Sequence, residues 1–481
     1  MKLCIVGTGA AGWMAAAYLK KLEFVKEIII IGSPTIPSIG VGESNTIKLN
    51  YFHDDIGINE SDFIFKSDAS VKYGVYYQNW SKNNFLHNFI STRIFNNFGV
   101  SINSFYNSLA NKPTDLSINE YVAPNLQETA KNNCVFVEDD IYSRSWHFDA
   151  AKYIEFISEF CLIDSKVKQI SSTVIDCKFK SNCIDSIILH SGDKIHANYF
   201  IFATGNNEFN TNILKQNYID LSDILLTDKA FVYPLKYTNK RQQFHPYTVA
   251  KTMKYGWRWI TPTFSRIGTG YVFSSKYISV EQAKKEFIND IGDLSIEPKL
   301  VDFQPKYNKQ TFNQNYCTLG MANGFLEPLD APGLTLTINV IEELGKILFQ
   351  KTLNVDENIV NSLLVSANEQ IEYNYKFWAS FILTQYKTSS RNDTIFWKDH
   401  QKIDYDFQRE IIENMGNLMC QKNMNIMFMH TIAAKDYTWK SDTKSLPYRQ
   451  FEPLLESVHH LDYINAIRTS VSQFRSIYAM V

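Results

Sequence analysis

Apolar positions open the chain as a solid block, not as an alternation. Leu3 to Val6 within KLCIV (2–6) read as a short buried strand, six small residues follow, and the stretch from Trp13 to Leu22 fits a helix. A second solid block at Glu27–Ile31 reads as another buried strand. Later blocks at 186–190 (SIILH) and 199–205 (YFIFATG) predict further strands, the second ending at Gly205. Residues 230–275 are again strand-rich through YVFSS (271–275), and helical spacing returns from Val280, over 333–351, and from about 357 onward. Strands apolar on both sides, alternating with helices, predict an α/β fold built on a doubly wound parallel sheet. The pattern divides the chain into 1–350, a core with inserted strands, and 351–481, a mostly helical cap.

The six small residues carry the first chemistry. Gly7, Thr8, Gly9, Ala10, Ala11 and Gly12 place a GxGxxG between a strand and a helix, with a second strand inside about thirty residues. Gly7 permits the tight turn, Gly9 lets backbone approach a pyrophosphate, and Gly12 lets the helix pack closely on the sheet. The helix N-terminus then faces the anion. One part of that fingerprint is missing: Ile31 is followed by Gly32, Ser33 and Pro34, with no acid for a ribose and no Arg for a 2′-phosphate. Ser33 offers only a hydroxyl.

Composition narrows the class. Of 481 residues 45% are hydrophobic and 20% charged, so the chain can bury a sizeable core. Lys and Arg number 48 against 50 acids, a balance that gives no electrostatic footprint for nucleic acid or a membrane surface. No apolar run reaches the length of a membrane span, and the N-terminus does not read as a signal peptide. Seven cysteines form no CxxC pair, which disfavours a disulfide framework or zinc site and suits a reducing cytoplasm. The aromatic load (Phe 33, Tyr 27, Trp 8) suits either a core or a pocket for a flat ligand.

Further segments resemble the flavin-dependent tryptophan-halogenase family. Gly7–Gly12 with Trp13 is similar to its opening GxGxxGW, and IPSIGVGES (36–44) to its loop after the second strand. GWRWITP (256–262) resembles W-x-W-x-I-P with Thr261 in place of isoleucine. GYVFSS (270–275), GFLEPLDAPG (324–333) and RNDTIFW (391–397) follow in the family order. The resemblance implies a Rossmann-like FAD-binding core, with FAD supplied reduced by a separate reductase, and a C-terminal substrate cap. It also implies a halide ion oxidised to hypohalous acid and a small aromatic substrate, and a homodimer is a further expectation. It implies flavin contacts at Gly7, Gly9, Ala10, Ala11, Gly12, Trp13, Ser33, Val41, Gly42, Glu43, Gly205, Gly320, Gly333 and Leu334.

By the same resemblance Lys72, in SVKYGVYYQNW (70–80), guides the hypohalous acid, and Asp330 stands where the family has glutamate. Strand alternation puts Lys72 with Gly74 and Tyr76, opposite Val71, Tyr73, Val75 and Tyr77, so a solvated strand lysine is the competing reading. Glu327 is the competing carboxylate, read as structural before Pro328. Pro332 removes one N–H from the expected halide site at the helix start, leaving Gly333, and Ala331 replaces a serine. Fewer donors predict bromide or iodide ahead of chloride. Trp257 and Trp259 share one strand face, either screening the flavin or filling the core. In WHFDA (146–150) Asp149 reads as a helix cap, and Arg391, Asp393 and Trp397 read as structural. Trp439 and Tyr437 are candidates for stacking on the substrate ring, an indole or phenol. The alternatives are an FAD-dependent aromatic hydroxylase, disfavoured because LGMANG (319–324) has no acid after Gly320, and a catalytically silent flavoprotein that binds a partner.

Overall fold

The computed structural model describes residues 1–35, 43–81, 84–89, 144–293, 295, 297–353 and 356–414. The chain forms two compact units, each assembled from three segments. The first is built from Met1–Ala69, Phe148–Asp228 and Asp302–Trp378, the second from Ser70–His147, Lys229–Val301 and the chain from Ala379 onward.

The first unit is organised by a five-stranded parallel sheet. Its strands lie in the order Tyr316–Thr318, Tyr199–Phe202, Lys2–Val6, Glu27–Gly32, Val167–Ser171. Lys2–Val6 is central, and both its faces are covered, which is why its residues are apolar without alternation. Cys4 and Val6 face a core shared with Phe200, Phe202, Ile184, Ile187 and Leu189. The last three come from a small antiparallel sheet that includes Val174–Lys180 and Cys183–Leu189. The helix Ala10–Lys20 packs on Ala150–Leu162 and on Pro332–Thr352.

Several boundaries move from their predicted places. The first helix starts at Ala10, not Trp13, because Gly9 is its N-cap, and it ends at Lys20, not Leu22. The strand expected to run to Gly205 stops at Phe202, since the left-handed Gly205 (φ 70°) belongs to the following loop. His190 lies in the turn after Cys183–Leu189.

The second unit holds a seven-stranded sheet in which Lys229–Leu235, Ile267–Phe273, Gly256–Pro262, Thr248–Met253, Gly74–Gln78 and Phe85–Asn88 follow one another. Thr248–Met253 and Gly74–Gln78 run parallel, and the other neighbours named run antiparallel. The helix Val280–Ile291 is fixed by a Ser279/Gln282 capping box and ended by left-handed Gly292. Its Phe287 packs with Phe231, Tyr271 and Phe273. The described part of the C-terminal stretch is helical, as expected: Glu357–Lys387, Ile395–Lys402 and Asp406–Asn414. Among the described residues no helix is long and apolar enough to cross a membrane, and no cluster of His, Cys, Asp or Glu is arranged to hold a metal. The cysteines described, Cys4, Cys161, Cys177, Cys183 and Cys317, are free thiols.

Candidate active site

The glycine-rich turn lies at the carboxyl ends of the parallel strands, the place where doubly wound sheets bind ligands. Its glycines are required for different reasons. Gly7 has φ 121°, and a Cβ there would fall 2.1 Å from the Ala203 carbonyl oxygen. A Cβ on Gly12 would fall 2.0 Å from the carbonyl oxygen of Gly7, so the helix can approach the turn this closely only without a side chain. Gly9 is unlike both. Its φ of −76° suits any residue, and a Cβ would meet no atom of the described residues within 4 Å.

The helix beyond Gly9 has no side-chain cap and no acid in its first turn. The first amides of a helix have no intrahelical partner and carry its positive dipole end. Ala10, Ala11 and Gly12 therefore form a donor set matched to a phosphate. Gly320, left-handed at φ 61°, brings the LGMANG loop against this turn, since a Cβ there would lie 2.8 Å from that of Ala11. An open backbone approach beside uncapped amides fits a dinucleotide such as FAD. Trp13 is buried inside the unit, and its carbonyl accepts the Cys161 thiol. The Ser33 hydroxyl is engaged with Thr173 Oγ1 at 2.7 Å and Thr35 Oγ1 at 3.1 Å. The strand end therefore carries hydroxyls where the fingerprint has a carboxylate.

The Pro332 helix begins from an unusual turn in the same unit. Asp330 (φ 60°) and Ala331 (φ 56°) are consecutive non-glycine residues in the left-handed region. Each such residue costs on the order of 1–3 kcal/mol, and such strain concentrates at functional sites. The turn is closed by the Ala331 N–H donating to Pro328 O at 3.0 Å. Asp330 is buried. Pro332 occupies the first helical position with no side-chain cap before it, as its fixed φ favours. Gly333 has open space where a Cβ would be, and Leu334 is buried. Glu327 is buried and accepts the Thr227 hydroxyl at 2.5 Å, in keeping with its structural reading.

In the second unit Lys72 ends the strand Ser70–Lys72, which pairs antiparallel with Ser145–Phe148. The alternation read from sequence is interrupted at Tyr73, whose N–H leaves this pair to donate to Pro246 O. Lys72 is 0% exposed, so the solvated-lysine reading fails. Its ammonium lies 5.1 Å from the centroid of the Phe89 ring. His147 pairs with Ser70 across this ladder, with Nδ1 3.1 Å from Pro262 O and Nε2 2.9 Å from Thr248 Oγ1. Burial, then the nearby charge of Lys72, holds its pKa well below the ordinary histidine value. The ring is therefore neutral, with Nδ1–H donating to the carbonyl and Nε2 accepting from Thr248. Sequence reasoning assigned this segment to the Asp149 cap, and Asp149 does accept the Ala151 and Lys152 amides. The resemblance of WHFDA (146–150) to a family segment did single out His147, but its role as a neutral neighbour of Lys72 was missed.

Trp257 and Trp259 share a face of Gly256–Pro262, with ring centroids 6.2 Å apart, and both are buried. Arg391 and Asp393 form a bidentate pair and Arg391 also bonds Thr252, a structural tie. Val41, Gly42, Tyr437 and Trp439 lie outside the described residues, and Glu43 is described only as the start of the strand Glu43–Ser44.

Comparison with known proteins gives the family and the fold. The family model for tryptophan halogenase matches residues 2–441. The chain is 27% identical over 427 residues to tryptophan 7-halogenase RebH of Lentzea aerocolonigenes, covering 84% of this chain and 79% of the relative. The fold matches a crystal structure of tryptophan halogenase from Shewanella frigidimarina with a TM-score of 0.84 at 22% identity, over 98% of this chain and 95% of that one. It matches tryptophan 6-halogenase SttH of Streptomyces toxytricini with a TM-score of 0.81 at 24% identity, over 98% and 97% of the two chains. The chain belongs to the tryptophan halogenase family, enzymes that act with FADH2.

Proposed function

We propose that this enzyme halogenates an electron-rich aromatic ring of the indole or phenol type, taking bromide or iodide ahead of chloride. The chemistry supplied by bound reduced FAD with oxygen is the oxidation of halide to hypohalous acid. Gly7, Gly9, Ala10, Ala11, Gly12, Gly205, Gly320, Gly333 and Leu334 are the residues that would hold the flavin, with reduction left to a separate reductase. Lys72 hydrogen-bonds the neutral hypohalous acid and aims its halogen at the ring. The ring carbon forms its bond to halogen as the halogen–oxygen bond breaks, and the oxygen leaves as water with a proton from Lys72. Asp330 takes the proton that the ring carbon loses. Trp257 and Trp259 line the reaction site, and the chain beyond Lys351 supplies the substrate cap.

The observation that carries this reading is the complete burial of Lys72. Lysine is almost never fully buried unless its nitrogen is engaged, and that nitrogen is a donor of the kind that aiming hypohalous acid needs. Support for the halide preference comes from Ala331 and Pro332, which lack a hydroxyl and an N–H at the helix start. The test is to supply FAD, a flavin reductase, NADH, oxygen and bromide with a panel of indoles and phenols, free tryptophan included, and read products by mass. Halogenated product supports the proposal. Hydroxylated product alone favours the aromatic hydroxylase, and no turnover with FAD bound favours the silent flavoprotein.

A further inference from the structure

The strand that presents Trp257 and Trp259 on one face presents Arg258 on the other, toward the helix Val280–Ile291. Arg258 NH1 donates to Asp290 Oδ2 at 2.8 Å, while Lys251 bonds the second carboxylate oxygen at 2.5 Å. The Arg258 Nε–H donates to Thr269 Oγ1 at 2.9 Å. Thr269 has one hydroxyl proton, and it goes to the carbonyl oxygen of Trp259 at 2.5 Å. The hydrogen bonds thus run in one direction, from a guanidinium anchored on the helix, through a hydroxyl, to the backbone of Trp259.

The indole is fixed from its other side. Gly270 is the cross-strand partner of Trp259. A Cβ on Gly270 would fall 2.1 and 2.3 Å from ring atoms Cη2 and Cζ2 of Trp259, and 2.4 Å from Phe231 O. Gly270 has no positive φ, so the ring and the adjoining strand require the glycine here, and the backbone conformation does not. Docking a helix on a sheet does not need a part-buried ion cluster, because apolar side chains do it without desolvating charge. Phe287 already does so beside Phe231 and Tyr271. The directional bonds of the cluster are what apolar packing cannot supply.

We propose that Asp290, Arg258 and Thr269 are positioning residues that set the depth and tilt of Trp259, with Gly270 as the seat of its ring. Any catalytic consequence rests on Trp259 lining the reaction site, as proposed above. Thr269→Val removes the hydroxyl and keeps the volume, and Thr269→Ser restores the hydroxyl. Two buried indoles 6.2 Å apart at 56° are close enough for exciton coupling, so the first readout is their couplet in circular dichroism, assigned by its loss in Trp257→Phe. The second is halogenated product formed per reduced flavin consumed, with kcat and KM measured separately on the full chain.

Thr269→Val is expected to alter the couplet and lower kcat about tenfold with KM little changed, as misplacing a group by a fraction of an ångström does. Thr269→Ser should recover both. A wild-type couplet in Thr269→Val overturns the proposal. An altered couplet with wild-type yield per flavin upholds the positioning and overturns the placing of Trp259 in the site. Should Thr269→Val not fold, Arg258→Lys keeps a cation for Asp290 but cannot span to Thr269 as a fork, and it is judged on the same couplet.

Discussion

Replacing Gly9 and Gly12 separately by alanine tests whether the glycine-rich turn is a cofactor cradle or only a tight connection. At Gly12 the new methyl carbon would be 2.0 Å from the Gly7 carbonyl oxygen and 3.1 Å from its carbon, both backbone atoms. The helix must then retreat from the turn. Such overpacking costs about 1–3 kcal/mol, against about 1 kcal/mol regained because alanine favours a helix over glycine. The net loss is about 0–2 kcal/mol without any ligand. At Gly9 the methyl meets nothing among the described residues within 4 Å and φ is −76°. A slightly poorer N-cap is offset by a less flexible unfolded chain, so the unliganded protein should change by under about 0.5 kcal/mol.

FAD separates the two variants further. At a concentration of about 100 times its Kd, FAD stabilises the wild type by about 2.7 kcal/mol. If the Gly9 methyl occupies the approach of the pyrophosphate and weakens binding about 100-fold, the same FAD concentration gives only about 0.4 kcal/mol. Urea unfolding with and without FAD, beside a titration of flavin fluorescence, measures both quantities. Gly9→Ala should be normal without FAD and blind to it, while Gly12→Ala should be weakened from the start. Full stabilisation of Gly9→Ala by FAD would refute the assignment of this turn to the flavin.

Lys72→Ala should reduce halogenation by at least about 100-fold while FAD-induced stabilisation and oxygen consumption persist, and Lys72→Arg should fail as well because a guanidinium stays protonated. Product formed by the alanine variant removes the role given to Lys72. With equal chloride, bromide and iodide, brominated and iodinated products should dominate by mass spectrometry, and a chlorinated majority counts against the Pro332 argument. Stability should fall as pH drops from 7.5 to 5.5. Burial lowers the pKa of His53 and His400 to about 3 and holds that of His147 well below its ordinary value. The folded chain therefore stays neutral at these rings while the unfolded chain takes protons below about pH 6.5. His53 and His400 each then lose about 1.4 kcal/mol by pH 5.5, or about 3 kcal/mol together, His147 adds to the loss in the same direction, and a flat urea midpoint over this range contradicts their burial.

Where local chemistry decides the outcome, the sequence was legible. The block KLCIV with its glycines announced strand, turn and helix, and helical spacing from Val280 and the cap at Asp149 marked two further helices, all present in the structure. Boundaries slipped where propensity and geometry part. Small residues at 10–12 do not look like a helix start until Gly9 is seen to cap it. Tyr73 looks like a continuing strand because alternation cannot show that its N–H is claimed by Pro246. Which strands neighbour one another was not legible either. Glu27–Gly32 pairs with Val167–Ser171, more than 130 positions later, and no local pattern encodes that choice.

The same distinction explains why the chemistry-bearing residues were harder to weigh than the scaffold. Lys72 in isolation is a polar residue in a strand, and its burial follows from the ladder to Ser145–Phe148 and from the Phe89 ring beside it. Asp330 and Ala331 have no glycine to advertise a left-handed turn, so the strained entry to the Pro332 helix is invisible in composition. Sequences record local preferences, and these positions depart from theirs because the surrounding structure over-determines them. Gly9 is the converse case. Neither its φ nor its neighbours among the described residues call for glycine, which suits a group that approaches the turn closely. A strained residue without glycine and a glycine without strain both point to demands that the fold alone does not make.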